Sequence, residues 1–215
     1  MRVATWNLDR APRPGAVELL ANVRADVLLL SEPPNDLEGY SLTPPGTRMT
    51  RGQLYAAAAS RLATVGPLEP VPPPHPATAA AVVEGTTFVS TVLPWSSAGG
   101  NDWSGSTFTE RTLLALVDPE PFLRAQPRLV WGGDWNLTLE GGLRGQTHAG
   151  RAQLEQLLQQ LGLRAPMRNQ PRGVYDMRSI DHVAVPGRVV DVEHHIAEAV
   201  GRRLSDHDLY VVVVD

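Results

Sequence analysis

The chain has 215 residues, 42% of them hydrophobic and 20% charged, which fits a globular protein of one domain with a sizeable core. It has no cysteine, so disulfides, thiolate metal sites and cysteine nucleophiles are excluded. The formal net charge is -4 and every basic residue is arginine, so the molecule as a whole exerts no general attraction on nucleic acid.

Residues 3–7 read as a strand, followed by a loop containing Pro12, Pro14 and Gly15. Residues 16–24 place Val17, Leu20 and Val23 at helical spacing. Residues 26–30 form a continuous apolar run, the pattern of a strand buried on both faces, and Pro33 and Pro34 stop it. This first strand–helix–strand unit delivers a polar residue at each strand's end, Asn7 and Glu32.

The middle predicts short strands at residues 40–42, 54–60, 78–83 and 87–93, with a proline-rich loop at 67–76. A polar loop at 95–105 holds Gly99, Gly100 and Trp103, and a helix over 109–123 should break near Pro119 and Pro121. Residues 129–136 run from an apolar strand into Gly132-Gly133-Asp134-Trp135-Asn136. Two readings compete there. One is a Gly-Gly turn with Asp134 and Asn136 as turn formers. The other is a strand end aiming an acceptor and a donor, two residues apart, at one bound group.

A glycine-rich loop at 140–150 leads to an amphipathic helix over 151–161, stopped by Gly162. Strands are expected at 179–185, 189–195 and 208–214. The start of the chain has no apolar leader and no apolar run is long enough to cross a bilayer, so a cytoplasmic monomer without a membrane span is expected.

Acids and amides recur where apolar runs stop: Asn7 and Asp9, Glu32, Asp134 and Asn136, Asp181 and His182, then Asp206, His207 and Asp208. Ligands in α/β proteins sit at strand ends, and several acids gathered there repel one another unless a cation neutralises them. Carboxylate and amide oxygens suit Mg²⁺ or Mn²⁺ rather than zinc. Asp181 and His207 form a second candidate group, because a carboxylate bound to one imidazole nitrogen leaves the other free as a base. Arg144, Arg151, Arg168, Arg172 and Arg178 could line a basic groove, with solvated surface as the rival reading for each. Trp95, Trp103 and Trp135 are expected near the site mouth, where packing competes with stacking on a base or sugar.

Trp6-Asn7-Leu8-Asp9, Glu32 after an apolar strand, Gly133-Asp134-Trp135-Asn136, Ser179-Ile180-Asp181-His182 and Ser205-Asp206-His207 occur in that order. Taken together they resemble the endonuclease/exonuclease/phosphatase superfamily with its pancreatic-deoxyribonuclease-like fold. The resemblance implies an α/β fold of four layers, two packed mixed sheets with helices outside, and a metal-dependent phosphoesterase whose substrate is a phosphate ester, nucleic acid among the candidates. It places Glu32, Asn7, Asp9 and Asp206 at the metal, and Asp134 and Asn136 at the attacking water and the phosphate. His207 matches the catalytic histidine and Asp181 the carboxylate that holds it. Trp95 and Arg178 join Asn136 as candidate substrate contacts. One departure stands out: where family members carry a histidine or tyrosine at the end of a central strand, this chain has Val92. Valine neither donates to phosphate nor carries a proton, so a non-catalytic binding protein on the same fold is the alternative. Trp95 or Ser96 would otherwise supply the missing group.

Overall fold

The computed structural model describes residues 1–9, 13–49, 52–99, 102–142, 146–172 and 177–215, so Pro12, Gly100 and Arg144 lie outside it. In chain order the first elements are β1 (Arg2–Asn7), α1 (Ala16–Val23), β2 (Val27–Ser31), β3 (Tyr40–Leu42) and β4 (Ala56–Arg61). Next come β5 (Glu69–Val71), β6 (Thr78–Val83), β7 (Thr86–Thr91), α2 (Phe108–Val117), α3 (Glu120–Arg124) and β8 (Leu129–Asp134). The remainder is α4 (His148–Gln160), β9 (Pro171–Arg172), β10 (Met177–Arg178), β11 (Asp181–Ala184), β12 (Val189–His195), β13 (Glu198–Ala199), β14 (Arg202–Arg203) and β15 (Leu209–Val214).

These strands build a six-stranded sheet in the order β12-β15-β1-β2-β4-β3 and a five-stranded sheet in the order β11-β8-β7-β6-β5. Each is mixed, with one parallel pair at its centre: β1 with β2 in the first, β7 with β8 in the second. Alternate side chains on a strand face opposite ways, and here they feed different layers. Ala4 and Trp6 of β1, with Leu28 and Leu30 of β2, pack under Ala16, Leu20 and Val23 of α1. Their neighbours Val3, Val27 and Leu29 meet Phe88, Val130 and Val183 between the sheets. On the far side of the second sheet, Leu129 and Trp131 pack with Leu116 of α2 and Leu154 and Leu157 of α4. Three buried clusters therefore fill the gaps of a four-layer sandwich, as the resemblance implied. Burying a leucine such as Leu29 contributes roughly 2 kcal/mol.

The elements follow the sequence reading closely, with three physical differences and one expected break. The proline-rich stretch contains β5, because a proline is tolerated on an edge strand and Pro70 pairs opposite Ala81 there. The helix over 109–123 breaks before Pro119, as expected, into α2 and α3, and Pro121 falls in the first turn of α3, where its missing N–H costs nothing. The helix expected from residue 151 begins earlier, at His148. The two-residue strands β9, β10, β13 and β14 are too short for any periodicity to announce them.

Candidate active site

The carboxyl ends of both parallel pairs open on the same place. Asn7 closes β1, Glu32 follows β2, Val92 follows β7 and Asp134 closes β8, and all four line one pocket of about 620 Å³. Ligands bind at such strand ends because loops there are free to carry chemistry while the sheet holds them rigid.

Asp134 is the hub. Its Oδ2 accepts from Asn7 Nδ2 at 3.0 Å, and its Oδ1 accepts from the backbone N–H of Asn136 at 3.0 Å. Its own N–H donates to Ser31 Oγ at 3.1 Å, across the gap between the sheets. The glycines before it are demanded by close approach rather than by a turn. A Cβ on Gly132 would lie 2.8 Å from Leu29 Cδ1, and one on Gly133 would lie 2.8 Å from the Thr91 nitrogen. Gly133 also sits at φ 117°, where a side chain is strained. The turn comes one step later, at Asn136, whose φ is 50°. The two readings of residues 132–136 thus merge, since the Asp134–Asn136 turn is what brings both side chains to the pocket. Asn136 Nδ2 donates one hydrogen to the Leu93 carbonyl at 2.9 Å, which leaves its second hydrogen for a ligand.

The Asp181–His207 pair forms across the sheets, with Nδ1 of the imidazole 2.7 Å from Asp181 Oδ2. Two serines set its ends. Ser205 Oγ donates to the Asn7 carbonyl at 2.7 Å and accepts from the His207 N–H at 3.0 Å. Ser179 Oγ accepts from the Asp181 N–H at 3.1 Å. Trp6 Nε1 adds a bond to the His207 carbonyl at 3.1 Å. Burial alone would lower the imidazole's pKa, but the charges of Asp181 and Asp134 outweigh it and hold His207 up to about 9, while Arg172 pulls the other way. Arg172 Nη2 lies 3.0 Å from His207 Nε2. A guanidinium can only donate, so this contact favours a lone pair on Nε2 once the imidazole is neutral. Burial first, and then Asp181, push the Asp134 carboxyl up to about 6, against the pull of His207.

The other expected metal residues also reach the pocket. Glu32 and Asp9 line it at φ 49° and 46°, so three of the six non-glycine residues with positive φ among the described residues belong to this site, Asn136 being the third. Such conformations cost of order 1–3 kcal/mol each and persist where surroundings over-determine them. The Glu32 N–H is fixed by the Tyr55 carbonyl at 3.0 Å, and Asp9 Oδ2 accepts from Arg13 at 2.8 Å. Asp206 reaches the rim half-exposed, with Oδ1 3.7 Å from His207 Nε2. Asp134, Asp181 and His207 each bring one ligand atom within 4.8 Å of the others, a buried group that could hold a metal ion.

Not every expectation lands in the pocket. Arg178 is exposed on β10, where Nη1 donates to the Asn169 carbonyl at 2.8 Å, and it does not line the site. Its antiparallel neighbour strand supplies the arginine instead, since Arg172 faces in from β9. Arg151 and Arg168 are engaged elsewhere, with Thr138 and with Glu140 and Glu155, so among the described residues these arginines do not make one groove. Trp95 and Trp103 line the pocket, but Trp135 is fully buried against Trp131 and His182 at ring separations of 4.6 and 5.0 Å. Strand alternation places Val92 in the pocket and turns Thr91 away, to accept from Trp131 Nε1 at 3.0 Å. Ser97 rather than Ser96 lines the wall beside Trp95.

A model described as the Endonuclease/Exonuclease/phosphatase family matches residues 4–207. The chain belongs to that family. No curated protein sequence matches it significantly. Among solved structures it is similar to an AP endonuclease from Archaeoglobus fulgidus, at TM-score 0.75 and 18% identity over 100% of this chain and 99% of that one. It is similar also to the 3′-5′ exonuclease NExo from Neisseria meningitidis, at TM-score 0.73 and 19% identity over 100% of both chains. The endonuclease domain of TRAS1, a telomere-specific non-LTR retrotransposon, superposes at TM-score 0.66 and 21% identity over 99% of this chain and 97% of that one. At these identities the likeness is one of fold. Family membership carries the broader statement, that the chain is of the nuclease and phosphatase kind acting on phosphate esters. No helix among the described residues is long and apolar enough to cross a membrane.

Proposed function

We propose that this chain, residues 1–215 acting as one catalytic domain, hydrolyses a phosphodiester or phosphomonoester by in-line attack of water with help from Mg²⁺ or Mn²⁺. The observation that carries the reading is the convergence of Asp134 and the Asp181–His207 pair with Glu32, Asn7 and Asp9 on one pocket. The family's other members, with AP endonuclease and exonuclease among the similar structures, support it.

The donor set fits a hard divalent cation. Asn7, Asp9, Glu32 and Asp206 present only oxygen-bearing side chains, and Asp134 is pushed up to about 6 first by burial and then by Asp181. We assign the ion to these pocket-facing oxygens rather than to Asp181 and His207, which are hydrogen-bonded to each other. Held there, such an ion would supply Lewis acidity and neutralise charge on the phosphoryl oxygens. Asp134, held by Asn7 and Ser31, orients the water. The spare amide hydrogen of Asn136 meets a phosphate oxygen whose charge grows in the transition state. His207 Nε2 takes or holds a proton while Asp181 fixes the ring and its tautomer.

Turnover of plasmid DNA, an abasic-site duplex, bis-p-nitrophenyl phosphate and inositol phosphates with each metal tests the reading. Hydrolysis that His207→Ala removes is expected. No metal-dependent turnover of any of them, with wild type and His207→Ala alike, overturns it. Val92 in the wall favours the second reading, a binding protein without turnover, which predicts phosphate-ester binding and no hydrolysis.

A further inference from the structure

The pocket has two unlike walls. One carries the charged groups above; the other is built from Met49, Tyr55, Val92, Trp95 and Trp103, with Asp102 among them. Trp103 is the keystone of that wall. Its ring stands edge-on to Tyr55 at 5.1 Å and 80° and to Trp95 at 5.3 Å and 81°, and stacks with His75 at 6.5 Å. His75 is itself fixed, with Nδ1 accepting from the Ala77 N–H at 3.1 Å.

Two polar features break this apolar surface. Trp103 is 2% exposed, yet its Nε1 has no hydrogen-bond partner. Buried indole N–H groups ordinarily find one, and an exception calls for an explanation. Beside it, the Tyr55 hydroxyl donates to Asp102 Oδ2. Burial, and then this bond, raise the Tyr55 hydroxyl above its ordinary range, so the proton stays on tyrosine and Asp102 remains an acceptor. That bond uses only one of the carboxylate's roughly four acceptor positions.

We propose that this wall is a base-reading subsite, which takes the nucleobase of a single nucleotide unit while its phosphate lies toward His207. The proposal rests on the hydrolase reading for the orientation of the phosphate. The wall's chemistry selects the base. Trp95, the partly exposed ring of the wall, offers stacking surface, worth about 1–3 kcal/mol per base. The unpartnered Trp103 N–H, buried behind the wall, gains a partner if the ring swings to meet an acceptor on the ligand. Asp102 requires N–H donors and repels a second phosphate. Guanine meets both demands, since its N1–H and N2 amino group form a two-point contact with a carboxylate and its O6 and N7 accept. Uracil and thymine offer Asp102 no amino group. A pocket of about 620 Å³ is of the size that encloses a small ligand, not of the open groove that tracks a duplex. With Asp9, Glu32, Asp102, Asp134 and Asp206 around it and Arg172 the one arginine lining it among the described residues, it does not favour a long polyanion.

Calorimetric titration of the full chain with GMP and UMP, with Mg²⁺ present, tests this. GMP should bind at least about tenfold more tightly, the value of a modest base-specific contact. Asp102→Asn should erase the difference, and Trp103→Phe should weaken GMP more than UMP while keeping the ring. Equal affinity for GMP and UMP, binding of neither, or a preference that survives Asp102→Asn overturns the subsite. Turnover of bis-p-nitrophenyl phosphate in the same preparation keeps the two ideas apart: its absence counts against the hydrolase, whereas the titration judges the base contact.

Discussion

Asp181 and His207 are joined at 2.7 Å across the gap between the two sheets, one at the start of β11 and the other just before β15. The carboxylate fixes which imidazole nitrogen carries the proton, so Asp181→Asn should leave the fold intact and reverse that preference. A loss of about 10²–10⁴ in kcat, the usual contribution of a positioned acid–base group, is expected in steady-state assays. Activity within twofold of wild type would show that the pair is structural.

Metal removal should act on both rate and stability. Chelation is expected to abolish turnover, with Mg²⁺ or Mn²⁺ restoring it. Because an ion that binds only the folded chain stabilises it, a concentration of about 100 Kd should add about 2.7 kcal/mol, visible as a rise in Tm. Glu32→Gln should shrink both responses. An unchanged Tm shift in that variant would remove Glu32 from the proposed metal ligands.

Gly133 and Gly142 make a matched pair. Gly133→Ala puts a Cβ 2.8 Å from the Thr91 nitrogen at φ 117°, whereas Gly142 has nothing within 4 Å and no positive φ. Gly133→Ala should therefore cost more than about 1–3 kcal/mol in denaturant unfolding and disturb Asp134 next door. Gly142→Ala should fall within about 0.5 kcal/mol of wild type.

His182 supplies an acid-sensitive element away from the chemistry. It is fully buried, its Nε2 lies 2.9 Å from the Leu137 carbonyl, and burial lowers its pKa to about 4. The folded value lies below the unfolded value of about 6.5, so folding favours the neutral ring. Its contribution is fully present above about pH 6.5 and is lost as pH falls toward 4, to an extent of ~3 kcal/mol. Urea unfolding at pH 7 and pH 4.5 should show wild type losing more than His182→Phe; parallel losses would contradict this.

Ser205→Ala tests the serine props. The hydroxyl bridges the Asn7 carbonyl and the His207 N–H in a fully buried position, and deleting it leaves both unpaired. A loss of about 1–3 kcal/mol, measured by denaturant titration, is expected. A fall in kcat with little change in KM should accompany it, because the prop sets His207 rather than the substrate.

Much of this was legible in the sequence, because it lies in local patterns. Continuous apolar runs announced β2 and β8, and the polar residues at their ends, Glu32 and Asp134, do face the pocket. The props escaped notice because serine two residues before a site residue is common and its partner, such as Asn7 for Ser205, is far along the chain. Arg172 and Arg178 sit on opposite strands of a two-residue hairpin, a register no periodicity can reveal. Asp134 and Asn136 flank Trp135 and make it a candidate pocket residue by sequence, but alternation sends its ring the other way, into the core. Tyr55 and Asp102 meet only through tertiary folding.

Asn7 to Asp134, Ser31 to Asp134 and Asp181 to His207 are all bonds between the two sheets at one end of the sandwich. The same end also holds the pocket, so the groups proposed to act on the substrate double as a clasp. A relative slide of the sheets by about one ångström would carry these hydrogen bonds past their useful range while each sheet kept its own ladder. The chain would then go silent as an enzyme before it lost any secondary structure, with turnover acting as the most sensitive gauge of how the two halves are aligned.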